Sequence, residues 1–369
     1  MALPHAVISA DDHMDLMALP PRLWSERLPK NLATRAPQVV ERDGAPVWVI
    51  EERVAGPSGR KPGHLLQTVD HGFRPGRPET RLEDMERDGV YAQVIYGPVR
   101  GLPIRDPALR VACLAAYNDW AAEFTRAASD RLIVLAMLPA HDPEVATAEL
   151  ERCGELGHRG VLLSPFESSH ALFGNGWERF WDAAHASGSI LHFHLGEGHH
   201  GLQALPGSWQ LPACIATSPM QLDETLAALL LSGVLEQRPG LRAVLGESGL
   251  GWLPYMLERL DHEHEKFGDR KLDYRPRMRP SEIFRRQVLA TYQEDETGIE
   301  LLDRIGIGSV MWASDYPHGD STWPDSIACI EGSQLGRRDP ADVRRVVYEN
   351  AAHLYGIRGS EVDSRGVDL

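Results

Sequence analysis

The sequence predicts an α/β fold, a (β/α)8 TIM barrel forming one domain over residues 1–369, and three observations predict it. Short apolar runs recur eight times, amphipathic stretches separate them, and acidic or imidazole side chains stand where several runs end. Continuous Val/Ile/Leu runs without polar alternation suit parallel strands buried on both faces. Strands that alternate with helical stretches in this way fit a barrel with insertions.

The eight runs are AVISA (6–10), YAQVIYG (91–97), RLIVLAMLP (131–139), RGVLLS (159–164), SILHFHL (189–195), LRAVLGE (241–247), QVLATY (287–292) and SVMWASD (309–315). Between them, 108–128 and 142–157 read as amphipathic helices. The second has Asp142 as N-cap before Pro143 and stops at Gly157. Two stretches break the rhythm. Residues 38–54 carry two β-prone arms around Asp43-Gly44, which predicts a hairpin inserted after the first strand. Residues 196–221 are long and rich in Gly and Pro, which predicts an extended loop after the fifth strand at the catalytic rim. A last helix is expected over 339–357, packing on the outer ring through Val343, Val346, Val347 and Leu354, followed by a flexible polar tail, 358–369.

Composition narrows the function. With 38 Lys+Arg against 53 Asp+Glu the formal charge is -15, which argues against nucleic-acid or anionic-membrane surfaces, because phosphate binding rests on clustered cations. No apolar run reaches the roughly 18 residues of a membrane span, and the first residues lack the cationic flank and apolar core of a signal peptide. Cys113, Cys153, Cys214 and Cys329 are far apart with no C-x-x-C pair, so reduced thiols in a cytoplasmic protein are expected.

Two motifs fail on inspection. Gly196, Gly198 and Gly201 fit G-x-G-x-x-G, but a dinucleotide loop must open directly into a helix, and here Pro206 and Pro212 follow. GESGL (246–250) resembles a serine-hydrolase elbow but has Leu250 where glycine is required. The strand ends are more informative. Asp11 and His13 are two apart and point to the same side of a strand. The fifth run ends in His194, the sixth in Glu247 and the eighth in Asp315, so all five side chains are expected at one mouth. Mixed carboxylate and imidazole donors suit zinc or manganese. His192, one layer deeper, reads as a hydrogen-bonded core histidine; His199 and His200 fall in the loop, and DHEHE (261–265) reads as a polar helix face.

These motifs resemble the amidohydrolase-2 family, a metal-dependent (β/α)8 branch of the amidohydrolase superfamily that includes aminocarboxymuconate-semialdehyde and gamma-resorcylate decarboxylases. SADDHMDL, HFHLG, LGESGLGWLPYMLERLD and MWASDYPHGDSTWP carry the likeness in the family's order, with RLEDMERDGVYAQVIYGP, YNDW and ENAAHLYG in support. The resemblance implies Asp11, His13, His194 and Asp315 as ligands of one divalent ion, with Asp315 also moving protons. It departs at the sixth strand, where the decarboxylases place a histidine and this chain has Glu247. No lysine stands where a carboxylated bridge between two ions is expected.

The leading expectation is hydrolysis of a C–N, C–O or C–C bond in a small cyclic or aromatic substrate by metal-activated water. Asp315 would be acid and base, Glu247 an assisting base, and His318 would orient the substrate. The alternative is non-oxidative decarboxylation of an aromatic or unsaturated carboxylate, and a third reading is a ligand-binding barrel without catalysis. Trp252, Trp323 and His199 are the candidate substrate contacts, and the hairpin is a candidate surface for a homo-oligomer.

Overall fold

The computed structural model describes residues 6–60, 70–99, 101–167, 172–174, 176–196, 202, 207–268, 270–272 and 274–358. The chain is an α/β fold with parallel sheets. Among the described residues twelve strands follow in order: β1 (Ile8–His13), β2 (Gln38–Arg42), β3 (Ala45–Ile50), β4 (Arg53–Pro57), β5 (Ala92–Tyr96), β6 (Leu132–Val134), β7 (Ala136–Met137), β8 (Gly160–Leu162), β9 (Ile190–His194), β10 (Arg242–Gly246), β11 (Val288–Tyr292) and β12 (Val310–Trp312). One parallel sheet runs β1-β5-β6 and another β12-β11-β10-β9-β8-β7. Seven of the eight expected apolar runs each contribute to one of these sheets, and the third, split at Leu135 into β6 and β7, contributes to both.

Residues 38–57 form a separate antiparallel sheet, β2-β3-β4. Arg42 faces Ala45 across the Asp43-Gly44 turn, where both residues take positive φ, and β4 adds a third strand beyond the two arms read from the sequence. The segment after β9 also differs from the expected loop. It contains a helix, Gln210–Thr217, none of whose residues is buried. Pro212 sits in its first turn, where the missing N–H would have no intrahelical partner anyway.

The helices between strands follow their sequence signals. Pro107–Arg126 is capped by Asp106, and Pro143–Leu156 by Asp142, whose carboxylate accepts from the N–H groups of Glu144 and Val145. Gly157, at φ 89, ends the second helix in the left-handed region that favours glycine. The C-terminal helical stretch runs from Pro340 to Tyr355 with a π-helical turn at Arg345–Glu349, and Val343, Val346 and Val347 are buried. The expected tail from 359 onward lies outside the described residues.

Alternation along β9 divides its side chains between two environments. Leu191 and Phe193 join the apolar layer formed with Phe180, Trp181 and Leu245, while Ile190 packs with Val244 and Met311 on the other face. His192 and His194 share that second face by the period of two. Close approach of ring to backbone requires glycine on the neighbouring strands. A Cβ on Gly246 would lie 2.5 Å from the His194 ring, and one on Gly160 would lie 2.8 Å from His192 Nε2.

Candidate metal centre

β1 delivers Asp11 and His13 to one side, and both are buried. Asp12, between them, turns the other way and accepts from the Ser314 hydroxyl (2.6 Å) and the Tyr316 N–H (2.9 Å). β9 ends in His194. β10 stops one residue before Glu247 and β12 three before Asp315, so these two carboxylates stand on the turns that leave the sheet. Both take left-handed backbone, φ 48 at Glu247 and φ 62 at Asp315. Such conformations are costly for non-glycine residues and persist where surrounding structure holds them.

These side chains converge. His13 Nε2 lies 3.4 Å from Asp11 Oδ1 and 3.0 Å from Asp315 Oδ1. His194 Nε2 lies 3.5 Å from both Asp11 Oδ1 and Glu247 Oε2. Potential donor atoms of Asp11, His13 and His194 all fall within 4.8 Å of one another, as do those of His13, Glu247, Asp315 and His318.

Despite these approaches, Asp11 Oδ1, His13 Nε2 and His194 Nε2 are buried without a hydrogen-bond partner. Buried polar atoms are nearly always paired. Three unpaired atoms of ligand type within 4.8 Å of one another could hold a cation. His194 carries its other ring proton on Nδ1 toward the Leu195 carbonyl, which leaves the Nε2 lone pair facing the cluster. A single divalent ion, zinc or manganese, fits this donor set of oxygen and imidazole nitrogen.

The electrostatics agree. Burial alone would raise Asp11, but His194 and His13 hold its carboxyl far below the ordinary range. Burial also opposes ionisation of Asp315, and the facing His318 and His13 bring it down. His13 loses basicity to burial and to His318, yet the facing Asp11 and Asp315 carboxylates push it up to about 9. The carboxylates thus dominate the field. Glu247 is driven upward by burial and then by the Asp315 charge; about a third of its side chain meets solvent (32%), which screens that push.

His318 stacks on the His13 ring at 4.0 Å. Its Nδ1 lies 3.0 and 3.1 Å from the two Asp315 oxygens, and its Nε2 lies 3.0 Å from Asp15. The sequence reading missed Asp15, although D-x-H-x-D was in plain view: two residues beyond His13, past the strand end, period-two reasoning no longer applies. It also missed Thr291, whose hydroxyl bonds Asp11 from the middle of β11.

Of the candidate substrate contacts, Trp252 donates to the Ser248 carbonyl and packs on the apolar layer. Trp323 donates to the Asp84 carbonyl and packs against His71 and Tyr316. His199 lies outside the described residues. His192 accepts or donates at both ring nitrogens, 2.7 Å from the Tyr96 hydroxyl and 3.4 Å from that of Tyr355. No described helix is long and apolar enough to cross a membrane.

A parallel α/β scaffold gathers histidines and carboxylates at its strand ends, in a set that fits a divalent ion. The chain belongs to the amidohydrolase family, which it matches over residues 23–357. It is 28% identical over 295 residues to a gamma-resorcylate decarboxylase of Rhodococcus jostii, covering 71% of this chain and 86% of the relative. Among solved structures it resembles 5-carboxyvanillate decarboxylase of Sphingomonas paucimobilis (TM-score 0.69, 20% identity, 96% of this chain and 99% of the other). It also resembles a dihydroxybenzoic acid decarboxylase of Polaromonas solved with bound manganese (TM-score 0.64, 18% identity, 97% and 99%). These relatives are decarboxylases, which overturns the expectation of hydrolysis. Glu247 in the histidine slot was too slender a reason to prefer activated water.

Proposed function

We propose that this protein is a metal-dependent, non-oxidative decarboxylase of a small aromatic carboxylate. The observation that carries the reading is the set of buried, unpartnered donor atoms on Asp11, His13 and His194, beside Asp315. The decarboxylase activity of the relative over most of both chains supports the choice of reaction.

The same reading takes the scaffold as a closed eight-stranded barrel. Leu135 carries the chain from β6 into β7 and so joins the two parallel sheets. Beyond β12, the Asp315 N–H donates to the Asp11 carbonyl (3.1 Å) and the His13 N–H to that of Tyr316 (2.7 Å), linking the last strand's exit to β1. The β2-β3-β4 sheet would be the insertion after the first barrel strand.

Asp11, His13, His194 and Asp315 would hold one divalent ion. When bound, the ion supplies positive charge for the substrate carboxylate and a neighbouring ring oxygen. Asp315, taking a proton from the His318 Nδ1 bonded to it, delivers that proton to the ring carbon that bears the carboxylate. Cleavage of the carbon–carbon bond then returns its electron pair to the ring and releases carbon dioxide. His318, bonded to Asp315 on one side and to Asp15 on the other, holds that carboxyl in place. Glu247 stands in the same cluster, and as an anion it would repel a carboxylate that no cation compensates.

The test is a panel of hydroxybenzoates incubated with manganese-loaded protein. Carbon dioxide release that stops with chelator is the expected result. Silence across the panel from protein shown to carry its ion would overturn the reading.

A further inference from the structure

Two features near the site are costly and have no evident use by themselves. The first is the buried hydroxyl of Thr291, fully shielded on a strand otherwise made of Val288, Leu289, Ala290 and Tyr292. The second is the left-handed backbone of Glu247. Both end on the same atom. The Thr291 hydroxyl donates to Asp11 Oδ2 at 2.7 Å, and the Glu247 N–H reaches Asp11 Oδ2 and Thr291 Oγ1, each at 2.7 Å. The Leu245 carbonyl offers Thr291 only a longer contact, 3.4 Å. Asp11 Oδ1, by contrast, has no partner and faces His13 and His194.

We infer that Thr291 is a positioning residue for the cation site: with the Glu247 N–H it holds one oxygen of Asp11, so that the other is presented as a single-atom ligand. A free carboxylate can rotate and offer either oxygen or both. Here Oδ2 is occupied twice, and rotation would break two bonds in a buried place at once. Outer partners of this kind orient metal ligands, and their removal lowers metal affinity. The strained Glu247 backbone gains a purpose, since its turn aims the N–H back at Asp11. The inference rests on the metal reading above.

A purely structural threonine would tie β11 to β1 and affect folding alone, so the deciding readout is metal affinity. Mn2+ alone is titrated into metal-free parent, Thr291→Ser, Thr291→Val and Thr291→Ala, following free Mn2+ by electron paramagnetic resonance; thermal unfolding of the same metal-free samples identifies the folded variants. Thr291→Ser keeps the hydroxyl and is expected to bind like the parent. Thr291→Val and Thr291→Ala are expected to bind at least about 10-fold more weakly. Parental affinity in either hydroxyl-free variant overturns the inference, as does Thr291→Ser binding as weakly as they do. A parent that takes up no Mn2+ would instead overturn the metal reading beneath it.

Discussion

His192 and His194 stand two residues apart on one strand, share one face and are equally buried, yet their surroundings differ. His192 has a tyrosine hydroxyl at each nitrogen, Tyr96 and Tyr355, and burial pushes it down to about 3. It is a neutral, satisfied core group. His194 has one nitrogen satisfied by the Leu195 carbonyl and the other bare among carboxylates and a second histidine. The difference teaches that burial alone does not distinguish a structural histidine from a ligand. An unpartnered ring nitrogen that faces other ligand-type side chains does, as His194 Nε2 faces Asp11 and Glu247.

Substitutions in the upper layer, around His194, are expected to have the largest effects. Asp315→Asn would remove the proposed proton donor and one proposed ligand together, and turnover should fall about 10²–10⁴-fold, measured as carbon dioxide release. His194→Ala should weaken Mn2+ binding more than about 100-fold, beyond the loss usual for outer-shell partners, read by titration of the metal-free protein. Saturating Mn2+ at about 100 times its dissociation constant should stabilise the parent by about 2.7 kcal/mol and His194→Ala far less, checked by thermal unfolding with and without chelator.

The deeper layer should respond in the opposite sense. Tyr96→Phe leaves His192 Nδ1 unpaired while keeping the ring that packs against His13 and His194. It should cost about 1–3 kcal/mol of stability in denaturant unfolding, with Mn2+ affinity unchanged. The smallest effect is expected far from either layer. Asp142→Ala removes the cap of the Pro143–Leu156 helix and should cost about 1 kcal/mol with no change in metal binding.

Much of this site was legible in the chain. The parity of D-x-H sorts Asp11 and His13 to one side and Asp12 to the other, and the ends of apolar runs point to His194, Glu247 and Asp315. The Asp142 and Gly157 helix signals are local and hold where read. Less legible was the segment after β9, where Pro212, which argued for open loop, is accommodated in the first turn of a helix. Asp15 and Thr291 gave no signal of their own: one follows a strand end, the other is a mid-strand threonine of the kind that often serves only packing. The choice between hydrolysis and decarboxylation was not written in the donor set, since both reactions use the same cation and the same acid.

Sequence by itself determined which residues alternate, which runs are apolar enough to be buried strands, and which side chains end those runs. Those are local matters, set by a backbone whose side chains reverse direction at every residue. Only the tertiary structure decided which buried atoms find partners. Asp11 meets Glu247 across 236 positions and Thr291 across 280, and those meetings depend on the register between strands far apart in the chain. That register satisfies one oxygen of Asp11 and leaves the other bare, and the bare atom is what turns a buried carboxylate into a place for a metal.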